Sequence, residues 1–157
     1  MVSARALHVL VVDDDEADFL MIEEALETAA VPPVVTRVAD GTQALDFLRR
    51  RGCFRRARRP DLVLLDLNLP RMSGHQVLTA MKRDACLRAI PVVVLTTSSA
   101  REDVAASYRE QASAFVTKPM DYHSFEAALR TINDLFQAAV RREAESEAVV
   151  LPFRRRR

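Results

Sequence analysis

Short apolar runs alternate with longer segments of helical period along most of the chain, and this alternation constrains the fold more than any other feature. Four runs lack polar alternation, which is typical of parallel strands covered on both faces. The exception, Val34–Val38, is mixed and predicts an edge strand. The runs are Leu7–Val12, Val34–Val38, Leu62–Leu65, Pro91–Leu95 and Ala114–Thr117.

The segments between the runs place apolar residues on one helical face. We predict helices at Ala17–Ala29, Gly41–Arg51, Gly74–Arg83, Arg101–Gln111 and Tyr122–Arg141. The last aligns Phe125, Leu129, Ile132, Phe136 and Val140 on one stripe. Five alternating units predict an α/β fold, a flavodoxin-like (βα)5 doubly wound parallel sheet of order 2-1-3-4-5. Residues 1–141 are predicted as one domain, and residues 142–157, where the composition changes, as a C-terminal tail or dimerisation arm.

Length and composition narrow the class of protein. A chain of 157 residues that is 49% apolar can form one domain with a real core. Its formal net charge of +1 gives no footprint for non-specific nucleic-acid binding. We see neither an apolar run near the roughly 20 residues of a membrane span nor a signal peptide. We therefore expect a cytoplasmic protein, with no nucleic-acid or membrane partner, whose Cys53 and Cys86 are reduced thiols.

Carboxylates follow two strands that the predicted order places side by side. Asp13 and Asp14 end the first strand, and Asp66 ends the third. Ligands of such sheets bind at the carboxyl ends of the strands, where the strand order switches. Three carboxylates at this point would repel one another unless a cation lies between them, and oxygen ligands favour Mg²⁺. The backbone carbonyl of Asn68 could supply a further oxygen.

Each polar residue at a strand end also has a purely structural explanation. Asp15 is expected to cap the first helix, which leaves Asp13 and Asp14 unexplained. The Thr96 hydroxyl could cap a helix instead of binding a phosphoryl oxygen, and Lys118 could simply be solvated. Taken together, however, the residues describe phosphoryl transfer to a carboxylate. Asp66 would attack, Mg²⁺ and Lys118 would neutralise the phosphoryl oxygens, and Thr96 would bind one of them.

Four segments resemble the receiver domain of two-component response regulators, in order and with the family's spacing over residues 7–137. They are Val11–Asp15, Leu64–Gly74, Pro91–Ser98 and Val116–Pro119. The resemblance implies that Asp66 is the phosphoacceptor, that Thr96 and Lys118 contact the phosphoryl group, and that a sensor histidine kinase is the donor. The metal ligands it implies are Asp13, Asp14, Asp66 and the Asn68 carbonyl. Such a protein assists its own phosphorylation and dephosphorylation and is not otherwise an enzyme.

The resemblance also implies how the phosphoryl group becomes a signal. Thr96 would move toward the new oxygens, and Phe115, at the family's switch aromatic, would turn into the space beneath it. The face formed by helix 4, strand 5 and helix 5 would then change shape. One departure is that Gln111-Ala112-Ser113 lacks the glycine that often ends helix 4 in this family.

A narrower resemblance is to single-domain regulators paired with bacterial phytochromes. It rests on the segment Asp40–Gly52, the arginine-rich insert before Pro60, and the run Leu67–Arg71. It implies a light-sensing histidine kinase as the phosphoryl donor. Because few residues follow the last helix, output must come through association, and we expect a homodimer through helix 5 and the C-terminal arm. The alternative is a disordered tail with a stray apolar cluster at Val149–Phe153.

Arginines cluster between residues 49 and 59 with no acid among them. The cluster is either a solvated loop or a surface that docks an acidic partner, whose binding would weaken with salt.

Rival functions remain for the strand-end residues. A haloacid-dehalogenase-type phosphatase uses similar groups, but its nucleophile strand comes first and the acid pair late. A flavin or nucleotide module would need a phosphate loop where this chain has Asp13–Glu16. A degenerate receiver is disfavoured because every chemical position is filled.

Overall fold

A computed structural model describes residues 5–96, 112–117 and 121–155, without the side chains of Thr96, Phe115, Thr117 and residues 141–155. The strands are β1 (His8–Val12), β2 (Val34–Val38), β3 (Leu62–Asp66), β4 (Val92–Thr96) and β5 (Ala114–Thr117). The helices are α1 (Glu16–Glu27), α2 (Gly41–Leu48), α3 (Gly74–Arg83) and a C-terminal helix (Tyr122–Arg155), with a 3-10 turn at Gly52–Phe54.

The strands form one parallel sheet in the order β2-β1-β3-β4-β5. This confirms the predicted order and the edge position of β2, where Val34 is 48% exposed. The register places Asp66 beside Leu95 and, one residue further, Thr96 beside Thr117. The ends of β3, β4 and β5 therefore lie next to one another.

Both faces of the sheet are covered, as the unbroken apolar runs predict. On one face α2 and α3 pack their apolar residues against β1, β3 and β4. On the other face α1 and the C-terminal helix do the same. Phe125 and Leu129 are fully buried there, and Ile132, Phe136 and Val140 pack against the same core, which confirms the predicted stripe.

Three of the predicted helices have ends that differ from the observed ones. Helix α1 spans Glu16–Glu27 and not Ala17–Ala29, because Asp15 is its N-cap and Thr28 its C-cap. Helix α2 ends at Leu48 and not at Arg51, because Arg50 adopts a left-handed φ of 56° that stops the helix. The last helix continues to Arg155 instead of ending at Arg141. Its highly charged extension is rich in Glu, Arg and Ala, which favour helix, so charge density was a poor stop signal. The helix predicted at Arg101–Gln111 lies outside the described residues.

An ion pair ties the amino-terminal edge of the sheet together. The Arg5 guanidinium donates to both oxygens of Asp61 at 2.9 and 3.0 Å, and the His8 backbone N–H donates to Asp61 Oδ2 at 2.8 Å. Burial raises the pKa of Asp61, but these hydrogen bonds outweigh burial and leave the pKa below its usual value. Among the described helices, none has the length and apolar character that a membrane crossing requires.

Candidate functional site

The loop from β1 into α1 is fixed by hydrogen bonds around Asp13. The Asp13 N–H donates to the Val38 carbonyl at 3.1 Å, and the Asp13 carboxylate accepts from the Asp15 N–H at 2.9 Å. Asp13 is 1% exposed. The Asp15 carboxylate accepts from the N–H groups of Ala17 and Asp18, so the predicted cap of α1 is confirmed.

Asp66 is the last residue of β3 and is 6% exposed. One of its carboxylate oxygens, Oδ1, accepts from the Asn68 N–H at 3.0 Å, which restricts rotation of the side chain. The loop that follows closes tightly, because the Gly74 N–H donates to the Leu67 carbonyl at 3.0 Å. A Cβ on Gly74 would overlap the Asp66 carbonyl oxygen and lie 2.7 Å from Leu67 Cα. The start of α3 therefore packs directly on the backbone that carries Asp66.

Three carboxylates meet at this edge of the sheet. Oxygens of Asp13, Asp18 and Asp66 lie within 4.8 Å of one another. The sequence predictions included Asp13 and Asp66 but missed Asp18, which is half-buried in the first turn of α1. Asp18 could have been found by counting three residues from the Asp15 cap, since this spacing turns a side chain back toward the helix start. Asp14 is exposed, and its role as a metal ligand stays a prediction.

The donor set fits a divalent cation. Carboxylates this close destabilise one another when ionised, and burial of Asp13 and Asp66 increases the cost. A hard divalent cation bound among them would offset that repulsion. The oxygen-only chemistry of the cluster thus agrees with the predicted metal site.

The remaining predicted residues belong to β4, β5 and the loop after β5. The backbone of Thr96 directly follows Leu95, which lies beside Asp66, and it pairs with Thr117. The backbone of Phe115 pairs with Val94 inside the sheet. The side chains of Thr96 and Phe115, and the whole of Lys118, lie outside the described residues, so their roles stay predictions.

A basic residue also reaches this loop from the edge strand. Arg37, in β2, donates from Nε to the Asp13 carbonyl at 3.1 Å and from Nη2 to the Asp14 carbonyl at 3.2 Å. No sequence pattern indicates this contact, because it depends on the parallel register that places Arg37 beside Val11.

A doubly wound sheet with buried carboxylates at its switch point defines a class of α/β modules that bind a cation, and with it an anionic group, at that edge. Comparison with known proteins narrows the class. The model of the response regulator receiver domain matches residues 9–130. The chain belongs to the response regulator receiver family, and it is a phosphoacceptor protein of two-component signalling. This membership displaces the dehalogenase-type phosphatase as an explanation of the site.

Individual relatives point to the same family. The chain is 38% identical over 129 residues to the response regulator Rcp1 of Synechocystis sp. The aligned region covers 82% of this chain and 81% of Rcp1. The phosphorylated cyanobacterial phytochrome response regulator RcpA superposes with a TM-score of 0.81 at 37% identity, covering 86% of this chain and 96% of RcpA. The Mn²⁺-bound form of Rcp1 superposes with a TM-score of 0.78 at 35% identity, covering 83% and 94% of the two chains.

Proposed function

We propose that Asp66 is the residue that accepts the phosphoryl group. The observation that carries this assignment is its position: a nearly buried carboxylate at the end of the central strand β3, within 4.8 Å of the Asp13 and Asp18 carboxylates. An oxygen of Asp66 attacks the phosphorus of a phosphohistidine, the new O–P bond forms, and the P–N bond to the imidazole breaks. The Asn68 N–H limits rotation of the carboxylate before attack.

Four groups of the chain hold Mg²⁺ in this proposal. They are the carboxylates of Asp13, Asp14 and Asp66 and the backbone carbonyl of Asn68. When bound, Mg²⁺ supplies positive charge that offsets the repulsion between carboxylate and phosphoryl oxygens. The acidic cluster supports the site, and the existence of a Mn²⁺-bound form of the similar Rcp1 supports a divalent ion.

Thr96 and Lys118 bind the transferred phosphoryl group. Support comes from the register, which brings the ends of β4 and β5 beside that of β3. Once Asp66 is phosphorylated, movement of Thr96 lets Phe115 turn inward. The surface formed by β5, the C-terminal helix and the segment before β5 then changes its partner affinity. The same residues position water for hydrolysis of the acyl phosphate, so the protein assists its own dephosphorylation.

The phosphoryl donor in this proposal is a sensor histidine kinase of the bacterial phytochrome type. Similarity to RcpA, a phytochrome response regulator, supports this choice. We further propose a homodimer through the C-terminal helix and its extension beyond residue 141. The extent of that helix, Tyr122–Arg155, and the 63% exposure of Leu135 on it support this surface. We place the protein in the cytoplasm with its kinase, without membrane or nucleic-acid partners.

Phosphorylation by a small donor tests the central assignment. The protein is incubated with Mg²⁺ and acetyl phosphate, and its intact mass is measured. The wild-type protein should gain the mass of one phosphoryl group, and Asp66→Asn should gain none. Asp46→Asn, a matched change on α2, should behave like the wild type. An equal gain on Asp66→Asn and wild type would refute Asp66 as the acceptor.

A further inference from the structure

Arg37 connects three separate parts of the structure. It lies in the edge strand β2, half-buried, and its guanidinium donates to the carbonyls of Asp13 and Asp14 in the loop after β1. The same guanidinium lies over the ring of Phe19 in α1, 5.6 Å from the ring centroid. One side chain thus holds the edge strand, the acidic loop and the first helix in a fixed relation.

The two acceptors belong to the residues whose carboxylates are assigned to the metal. A guanidinium presents its donors in a rigid planar fork, which suits two neighbouring carbonyls better than an ammonium does. Fixing these two carbonyls fixes the peptide planes on either side of Asp14. The directions of the Cα–Cβ bonds of Asp13 and Asp14 are then fixed as well, because they follow from the same backbone dihedrals.

Other hydrogen bonds hold the same loop together with those from Arg37. The Asp13 N–H donates to Val38, and the Asp13 carboxylate accepts from the Asp15 N–H. Asp14 is exposed, and the peptide that joins it to Asp15 is held from both sides: its carbonyl accepts from Arg37 Nη2 at 3.2 Å, and the Asp15 N–H donates to the Asp13 carboxylate at 2.9 Å. Loss of the guanidinium would remove the hydrogen bonds to the carbonyls of Asp13 and Asp14 and would leave the backbone at Asp14 less constrained.

We propose that Arg37 is a positioning residue of the metal site, which orients Asp13 and Asp14 through their backbone carbonyls so that their carboxylates face the cation. This inference rests on the proposed metal-binding function. Arg37 touches neither the cation nor the phosphoryl group in this role. It lowers the conformational cost of binding by holding the loop in the receptive arrangement before the cation arrives.

The direction in which the metal affinity changes when Arg37 is removed separates this role from a purely electrostatic one. As a nearby cation, Arg37 repels a divalent ion, so on charge alone its removal would strengthen metal binding. As a positioning residue, its removal would weaken binding despite the loss of positive charge. A residue important only for stability would lower the melting temperature and leave the affinity of the folded protein unchanged.

The test is to titrate the full chain with Mn²⁺ in a calorimeter, below the melting temperature, and to measure the Mn²⁺ affinity of the folded protein. We expect Arg37→Ala to weaken Mn²⁺ binding by about threefold to tenfold, the equivalent of one lost hydrogen bond. Arg37→Lys keeps the charge but not the fork, and it should weaken binding by about twofold to threefold. Arg130→Ala removes an exposed arginine of the C-terminal helix and should change nothing.

Unchanged or tighter binding by folded Arg37→Ala would overturn the inference. If Arg37→Ala does not fold, Arg37→Lys provides the test. Unchanged Mn²⁺ binding by Arg37→Lys would then contradict the positioning role of Arg37. Asp13→Asn checks the site itself and should abolish binding. If the wild-type protein bound no Mn²⁺, the metal site of the proposed function would be refuted, and the role of Arg37 with it.

Discussion

Gly74 shows how a single residue without a side chain shapes the site. Its N–H closes the loop after β3, and its Cα lies against the backbone of Asp66 and Leu67. Any side chain at this position must push the start of α3 away from the residue proposed to accept the phosphoryl group. The position thus links the packing of α3 to the placement of Asp66.

Gly74→Ala should therefore impair both folding and phosphorylation. We expect a loss of about 1–3 kcal/mol in the free energy of unfolding, the usual cost of forcing atoms into a packed region. Phosphorylation by acetyl phosphate should also slow, because Asp66 is displaced. Gly52→Ala is the matched control: its φ of 59° makes alanine strained, but nothing lies within 4 Å of the added Cβ. Gly52→Ala should lose stability but be phosphorylated at the wild-type rate. A wild-type rate for Gly74→Ala would contradict the proposed link between Gly74 and Asp66.

Some site residues were predictable at the scale of single residues, and others were not. Asp13 and Asp66 were found because parallel strands bring their carboxyl ends together, so position along the chain was enough. Asp18 was missed although its spacing of three residues from the Asp15 cap could have indicated it, whereas Arg37 was missed because its contacts depend on the register of β2 with β1. That register cannot be read from a pattern of apolar residues.

At the scale of elements, the amino-terminal end of β1 carries a pH-sensitive contact. Arg58 approaches His8 Nε2 at 2.9 Å, where a neutral ring can accept its hydrogen bond. Burial and the nearby Arg58 charge lower the pKa of His8, although Asp61 opposes this shift. The unfolded chain therefore binds a proton at His8 more readily than the folded protein does. The neutral imidazole favours folding, and protonation removes this contribution.

Stability should consequently fall as the pH drops below about 6.5, the value expected for histidine in an unfolded chain. Urea unfolding at a series of pH values between neutrality and about pH 5 measures the slope. His8→Gln keeps an acceptor for Arg58 but cannot take up a proton, so its slope should be shallower than that of the wild type. His123→Gln, at an exposed histidine, is the control. Identical slopes for wild type and His8→Gln would contradict the assignment.

Element boundaries show where local patterns stop being informative. Helix α3 has the predicted ends, and in the structure Ser73 forms a capping box with Gln76 at its start. The end of α2 was not predicted correctly. Arg50 there adopts a left-handed conformation, a position that glycine usually occupies, so no glycine indicated the end. The far end of the C-terminal helix was missed because charged helix formers were interpreted as a tail.

For the whole molecule, the C-terminal helix supplies the surface through which we propose that the domain associates. Its inner side packs Phe125 and Leu129 into the core, and Asn133 and Gln137 donate to the carbonyls of Val31 and Arg5. Its outer side exposes Leu135. A helix of 34 residues is about 51 Å long. The fold class and strand order were predictable because alternation of strands and helices allows few topologies. The same alternation does not predict whether two copies of the chain associate.

Removal of residues 142–157 should convert a homodimer into a monomer, because the proposed interface extends along this part of the helix. Light scattering coupled to size exclusion gives the mass of each form in solution. Leu135→Glu should also weaken the dimer, while Val34→Glu, at an exposed position on the edge strand, should not. A truncated protein that keeps the dimer mass would exclude the C-terminal arm as the interface.

The most direct test of the central claim is to locate the phosphoryl group on the chain. Borohydride reduces an aspartyl phosphate to homoserine, which peptide mass spectrometry can place at a single residue. After reaction with acetyl phosphate and Mg²⁺, we expect homoserine at Asp66 and at none of the neighbouring carboxylates Asp13, Asp14 and Asp18. Homoserine at any of those three residues, with Asp66 unmodified, would contradict this expectation.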